Sequence, residues 1–180
     1  MASHPPTLTV PVGADDHRQG AEHAAVILVE YGDYECPYCG QAYPLVKDLM
    51  RQLGDRVGFV FRNFPIATSH PNAELAAEAA EAAAAQGQFW PMHDLLYEHQ
   101  RSLGPEHILT LAAQLDLDMD RFEEDLVHRR FEERVRADFM GGVRSGVNGT
   151  PSFFLNNVRF DGDWTGDGLI DAVTSLSGSR

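Results

Sequence analysis

A strand–helix–strand pattern over residues 24–65 constrains the fold of this chain more than any other feature. The run AAVILVEY at 24–31 is β-branched and almost continuously apolar, which is typical of a strand buried on both faces of a sheet. Apolar residues recur at helical spacing from Pro37 to Gly54, and RVGFVFRNFP at 56–65 predicts a second buried strand. Two strands joined through a helix lie parallel, so we expect an α/β core.

The only two cysteines of the chain, Cys36 and Cys39, lie where the first predicted strand gives way to the helix. Two cysteines placed at random would fall three apart in roughly 1% of cases, so the spacing points to a function. Haem attachment requires a His directly after the second cysteine, and Gly40 stands there. Zinc requires four ligands, and two of them would have to come from the eight histidines or from carboxylates. A redox-active pair is the favoured interpretation.

The position of Cys36 at the start of the helix predicts an acidic thiol. Cys36 is expected to be the N-cap, with Pro37 at the first helical position, where its missing N–H costs nothing. The unpaired N–H groups and the helix dipole favour a thiolate, which predicts a pKa below about 8.5. Cys39, one turn further, is placed to attack a mixed disulfide on Cys36. Asp33 and Glu35 oppose the thiolate with negative charge, so we expect a moderate rather than extreme pKa.

Glu30 is a third candidate for the catalytic group, because it lies inside the first apolar strand six residues before Cys36. A carboxylate in that position is expected to be partly buried with a raised pKa, and to take the proton from Cys39 during resolution. The alternative is a carboxylate at a strand end that is solvated or paired with Arg62.

The remainder of the chain predicts a helical block and a second group of strands. Every segment from 71 to 147 has helical patterning, including the alanine-rich run NAELAAEAAEAAAAQG, for which close helix packing is the simplest interpretation. PSFFLNNVRFDG then predicts a β-hairpin with its turn at Asn156 and Asn157, and GDGLIDAVTSL a last helix. An edge strand is predicted in LTVPV at 8–12, restricted to an edge by Pro11.

Composition excludes several classes of function. The net charge of −13 provides no basic field for nucleic acid, and no apolar run approaches the ~18 residues of a membrane span. The N-terminal residues lack the layout of a secretory signal, so the protein is expected in the cytoplasm. A lone cysteine pair in that reducing compartment is expected to be catalytic or redox-sensing rather than structural. No cofactor or metal is expected.

The chain resembles the DsbA-like branch of the thioredoxin-fold superfamily over about residues 15–176. The segments that carry the resemblance are EYGDYECPYCG, FVFRNFP, HPNAELAAEAAEAAAAQGQFWPMHDLLYEHQ and GVNGTPSFF. The sequence looks similar to bacterial cytoplasmic members and to the thioredoxin-like domain fused to some sodium/proton antiporters. The resemblance implies a thioredoxin fold, βαβ followed by ββα, with an all-helical insertion. The expected division is an N-terminal arm at 1–23, the thioredoxin-fold domain at 24–70 and 148–180, and the insertion at 71–147.

The resemblance also implies how substrates are held. Thr150–Pro151 is expected to be a cis peptide whose loop offers backbone to an extended substrate, with Pro37 and Tyr38 completing the substrate-binding surface. The resemblance also supports the role of Glu30 as a buried acid. Periplasmic oxidants of the family usually carry a His between the cysteines, where this chain has Tyr38. That departure predicts a weakly oxidising or a reducing pair.

These observations predict a thiol–disulfide oxidoreductase that forms mixed disulfides with protein substrates and is renewed by a recycling redox partner. Its direction, as reductase, isomerase or oxidase, is left open. The alternative is a redox-sensing or regulatory thioredoxin-like module without sustained turnover. A glutathione-dependent enzyme acting on small molecules is disfavoured, because the second cysteine makes glutathione unnecessary.

Overall fold

The computed structural model describes residues 5–178 of the 180-residue chain. The strands are β1 (His17–Gly20), β2 (Val26–Gly32), β3 (Val57–Asn63), β4 (Ser152–Leu155) and β5 (Val158–Phe160). They form one sheet in the order β1-β3-β2-β4-β5. The pair β2–β3 is parallel and the other three pairs are antiparallel, as the strand–helix–strand pattern and the predicted hairpin require.

The helices are α1 (Pro37–Leu53), α2 (Ala73–Ala84), α3 (Phe89–Glu98), α4 (Pro105–Ala112), α5 (Met119–Val127), α6 (Glu132–Arg144) and α7 (Gly168–Ser177). Helix α1 connects the parallel strands, and α2 to α6 follow one another between β3 and β4. This confirms the predicted fold class, a thioredoxin fold with an all-helical insertion. The boundaries of the arm, the two-part domain and the insertion stay predictions, and their outermost residues, 1–4 and 179–180, lie outside the described chain.

The predicted edge strand at 8–12 is wrong. Around that segment only Thr7 makes an isolated bridge, to Val158, and the carbonyl groups of Val10 and Pro11 accept hydrogen bonds from Arg62 instead of pairing in the sheet. The edge strand of the arm is β1, which pairs antiparallel with β3. Its residues, HRQG, are polar, so the pairing depends on the backbone and leaves no apolar alternation to detect.

Apolar side chains cover both faces of the sheet. On one face Val26, Leu28 and Phe61 pack with α1, α7 and the alanine-rich helix α2, most of whose alanines are buried, as the close-packing interpretation predicts. On the other face Val29 and Tyr31 pack under residues of the arm and of α6. Because side chains alternate along a strand, Glu30 shares the face of Val26 and Leu28, which is also the face that holds both cysteines.

The β4–β5 turn follows the prediction. Asn156 and Asn157 have φ of 45° and 78°, the left-handed conformations that a two-residue hairpin turn needs. Within residues 5–178, no helix is both long and apolar enough to cross a membrane.

Candidate active site

Cys36 lies at the junction that the sequence indicates. It is the N-cap of α1 in an extended conformation, with Pro37 as the first helical residue. The Cys36 N–H donates to the Asp33 carbonyl at 3.1 Å, and its carbonyl accepts from the Gly40 N–H at 3.0 Å. The end of β2 and the first turn of α1 therefore hold the cysteine backbone from both sides.

The two thiols are free and differ in exposure. Cys36 keeps 4% of its surface accessible, whereas Cys39 is completely buried. When Cys36 is protonated, its thiol donates to the Thr150 carbonyl oxygen at 3.4 Å, and the Asp33 N–H donates to the Cys39 Sγ at 3.5 Å. Of the two cysteines, only Cys36 keeps any accessible surface.

Hydrogen bonding separates the acidities of the two thiols. A hydrogen bond from the Cys39 thiol, together with the Thr150 side chain and the N–H groups of Cys39 and Tyr38, lowers the pKa of Cys36 to about 5 against the opposing effect of burial. Burial is the main cause that raises the pKa of Cys39 well above its usual value. The site thus contains one thiolate and one thiol at neutral pH. The sequence-based expectation of a moderately lowered pKa for Cys36 agrees with this value.

Glu30 is buried, with 2% of its surface exposed, between Phe61 on β3 and Phe153 on β4. Its Oε1 has no hydrogen-bond partner in the described part of the chain. Burial, followed by the negative charge of Cys36, raises the pKa of Glu30 to about 8. The alternative of an ion pair with Arg62 is excluded, because Arg62 pairs with Asp16 at 2.8 Å on the other face of the sheet.

Residues just after the insertion, at the start of β4, complete the site. The Thr150–Pro151 peptide bond is cis, and the Thr150 Oγ1 is buried without a hydrogen-bond partner among residues 5–178. It is therefore available to donate to a Cys36 thiolate. Pro37 and Tyr38 are exposed beside the cysteines, with 61% of Tyr38 accessible. The structure thus brings Thr150 to Cys36 and leaves Pro37 and Tyr38 on the open surface.

The two acidic residues before Cys36, Asp33 and Glu35, are hydrogen-bonded in the structure. The buried Asp33 carboxylate accepts from the Ile66 and Glu35 N–H groups at 2.8 Å each and contacts the His70 Nδ1 at 2.7 Å. Glu35 accepts two hydrogen bonds from Asn72, at 2.6 and 2.9 Å. Both carboxylates are therefore engaged by the loop between β3 and α2.

Sequence reasoning missed Gln100 as a neighbour of the site and did not include His70 among the candidate residues. The Gln100 side chain donates to the carbonyl groups of Tyr34 and Cys36. The sequence signals were weak: His70 precedes a proline at a helix start, and Gln100 lies in a polar stretch between helices. The described chain has no group of three or more His, Cys, Asp or Glu side chains placed to hold a metal ion.

Comparison with known proteins agrees with this geometry. A family model described as thioredoxin matches residues 13–174. The chain is 49% identical over 175 residues to the Na(+)/H(+) antiporter NhaA 1 of Salinispora arenicola, a match that covers 96% of this chain and 27% of that protein. It thus spans about a quarter of the length of the curated relatives it matches.

Two solved structures show the fold directly. Oxidised BdbD from Bacillus subtilis superposes with a TM-score of 0.82 at 22% identity, covering 97% of each chain. Wolbachia pipientis alpha-DsbA1 superposes with a TM-score of 0.75 at 18% identity, covering 95% of this chain and 94% of that one. With the cysteine pair at the N-terminus of α1 and the helical insertion between β3 and β4, the chain belongs to the thioredoxin family and has the DsbA-like form of its fold.

Proposed function

We propose that the protein is a thiol–disulfide oxidoreductase that exchanges disulfides with protein substrates through Cys36 and Cys39. The observation that carries the proposal is the asymmetry of the pair. Cys36 is partly accessible and has a pKa of about 5, whereas Cys39 is enclosed and has a raised pKa. An accessible thiolate beside a protonated thiol is the arrangement that attack followed by resolution requires.

In the reducing direction, the Cys36 thiolate attacks one sulfur of a substrate disulfide. The substrate S–S bond breaks, a mixed disulfide to Cys36 forms, and the first substrate thiolate leaves and takes a proton from solvent. The Cys39 thiol then loses its proton and attacks the Cys36 Sγ. The second substrate sulfur leaves as a thiolate, and the Cys36–Cys39 disulfide remains. The oxidising direction is the reverse of these steps.

Glu30 is proposed to receive the Cys39 proton. Its pKa is raised partly by the negative charge of Cys36, and that charge disappears when Cys36 enters a mixed disulfide. The pKa of Glu30 then falls, which favours its ionised form, the form that can accept a proton, at the stage when Cys39 must be deprotonated. The charge on the Cys36 sulfur thus links the protonation state of Glu30 to the stage of the reaction.

Thr150 and Pro151 are proposed to bind the substrate backbone. The Thr150 carbonyl lies 3.4 Å from the Cys36 Sγ, so a peptide strand added along this loop would bring its own cysteine to the attacking sulfur. Pro37 and the exposed Tyr38 provide the adjoining surface on the side of α1. Backbone pairing of this kind accepts many sequences, which suits a general protein substrate.

The direction is proposed to be weakly oxidising or reducing. A Cys36 pKa of about 5 lies between the values of about 7 for thioredoxin and about 3.5 for DsbA, and Tyr38 adds no cation between the cysteines. Equilibration with glutathione and dithiothreitol buffers measures the poise. A reduction potential of about −120 mV, the value of a strong oxidant, would contradict this proposal.

The turnover experiment tests the function itself. Wild-type protein supplied with dithiothreitol is expected to reduce a disulfide-bonded peptide over many cycles, and Cys36→Ser to reduce none above the background of dithiothreitol alone. An equal rate for both proteins would reject the proposal. Gln114→Met, an exposed substitution on the insertion, is the matched variant and should retain the wild-type rate.

A redox-sensing module is the second candidate, favoured by one observation. The curated relatives are antiporters of which this chain spans about a quarter, so the unit can report redox state to an attached or separate partner. Oxidation of Cys36 and Cys39 without repeated turnover would support this alternative. The recycling partner and the cytoplasmic location stay predictions.

A further inference from the structure

Gln100 connects the helical insertion to the backbone of the attacking cysteine. It lies just after α3, and its Nε2 donates to the Tyr34 carbonyl at 2.9 Å and to the Cys36 carbonyl at 2.7 Å. The Cys36 carbonyl also accepts the Gly40 N–H of the first helical turn. A single side chain from the insertion therefore holds both the loop before Cys36 and the start of α1.

Gly40 provides the space for this contact. A Cβ atom built on Gly40 would lie 2.2 Å from the Gln100 Oε1, far inside van der Waals contact. Gly40 is helical and has no positive φ, so its backbone conformation does not require glycine. The close approach of the Gln100 amide is the structural reason for a glycine directly after Cys39.

Aromatic packing fixes the segment that carries Gln100. Tyr97, three residues earlier, stacks on Tyr43 of α1 with ring centroids 5.2 Å apart and packs on Tyr34 at 4.9 Å. The Gln100 N–H also donates to the Tyr97 carbonyl at 3.3 Å. The Gln100 amide is thus presented to the catalytic loop from a packed support.

We propose that Gln100 is a positioning residue for thiol exchange: by holding the Cys36 carbonyl, it keeps the Cys36 Sγ against the Tyr38 and Cys39 N–H groups that stabilise the thiolate. Without this restraint the first turn of α1 can shift, and the thiolate loses part of its hydrogen bonding. The insertion thereby contributes to the redox poise of the pair. The inference rests on the proposed role of Cys36 as the attacking thiolate.

The first test compares Gln100→Met with Gln86→Met. Gln86 also makes two hydrogen bonds to backbone, both to Asp118, but within the insertion and away from the cysteines. The thiolate ultraviolet absorbance of the reduced proteins, followed against pH, reports the pKa of Cys36. Gln100→Met should lower the ionisation constant of the Cys36 thiol by about fivefold, as expected for one lost hydrogen bond. Because the thiolate is less stable, the equilibrium with glutathione should shift by about the same factor toward the Cys36–Cys39 disulfide. Gln86→Met should shift neither.

Gly40→Ala displaces the same amide by a different route. It leaves every hydrogen-bonding group in place and raises the helix propensity of α1, so a weaker thiolate cannot be attributed to loss of the helix. It should shift the pKa of Cys36 in the same direction as Gln100→Met. In the double variant the two shifts should not add, because both act by removing one contact.

Three results overturn the inference: an unchanged pKa of Cys36 in Gln100→Met, an equal shift in Gln86→Met, or full additivity of Gln100→Met and Gly40→Ala. Loss of stability in Gln100→Met without a change in pKa or potential means that Gln100 has only a structural role. These measurements use no substrate. If the wild-type protein fails to reduce a substrate repeatedly, the proposed function is rejected. The effect of Gln100→Met on the pKa of Cys36 can still be measured and interpreted.

Discussion

Replacing Glu30 by Gln tests whether the buried carboxyl keeps its proton in the folded protein. The raised pKa of about 8, against an ordinary 4.5, means that the folded state binds a proton that the unfolded state releases. Its contribution to stability is complete below pH 4.5 and is lost as the pH rises toward 8. Between pH 5 and 8 these two values correspond to a loss of about 3–4 kcal/mol, which Glu30→Gln should not show.

The measurement is urea unfolding from pH 5 to 8 in a Cys36→Ser background, so that the Cys36 thiolate does not titrate as well. The loss of about 3–4 kcal/mol is then an upper limit, since the Cys36 charge is the second cause of the raised pKa. The absolute difference in stability between Glu30→Gln and its parent does not test the pKa of Glu30, because a buried amide has unsatisfied hydrogen-bonding groups of its own. Only the difference in pH dependence matters.

The matched control is Glu123→Gln, which makes the same charge change on the exposed surface of α5. It should leave the pH dependence of stability unchanged. Parallel curves for Glu30→Gln and its parent, within the error of extrapolation, would refute the raised pKa of Glu30 and with it the proposed coupling between the Glu30 proton and the charge on Cys36.

Three further predictions concern the thiolate and its surroundings. Alkylation of reduced Cys36 should reach half its maximal rate near pH 5, and a midpoint above about 7 would contradict the hydrogen-bonded thiolate. Thr150→Val removes the hydroxyl and keeps the shape of the side chain, so the midpoint should move upward because the thiolate loses a hydrogen-bond donor. An unchanged midpoint would show that the Thr150 hydroxyl does not stabilise the thiolate. His70→Leu should lower the free energy of unfolding by roughly 2 kcal/mol, because the buried Asp33 loses a hydrogen-bond partner, while exposed His23→Leu should have little effect.

The parts of the fold that were predictable from sequence are those with strong local patterns. The continuous apolar runs of β2 and β3 and the helical spacing of α1 favour a buried parallel pair with a connecting helix. The Asn156–Asn157 turn was predictable from its tolerance of left-handed conformations. The strand β1 was not, because its polar residues pair through their backbone and bury no apolar face.

The candidate site shows the same division. The position of Cys36 and the raised pKa of Glu30 follow from neighbours in sequence and from burial within one strand. The partners of Asp33 and the contact of Gln100 with Cys36 join segments 37 and 64 residues apart. Such contacts depend on how the loop before α2 and the insertion pack against the segment around Cys36, which no local periodicity encodes.

Trapping of the mixed disulfide tests the central claim most directly. Cys39→Ser, Cys36→Ser and wild-type protein are each reacted, in the reduced form, with a disulfide-bonded peptide and examined by mass spectrometry after quenching in acid. The account predicts a stable peptide adduct on Cys36 in Cys39→Ser, no adduct in Cys36→Ser, and an internal Cys36–Cys39 disulfide in the wild type. An adduct on Cys39, or equal reactivity of the two single variants, would contradict Cys36 as the attacking thiolate.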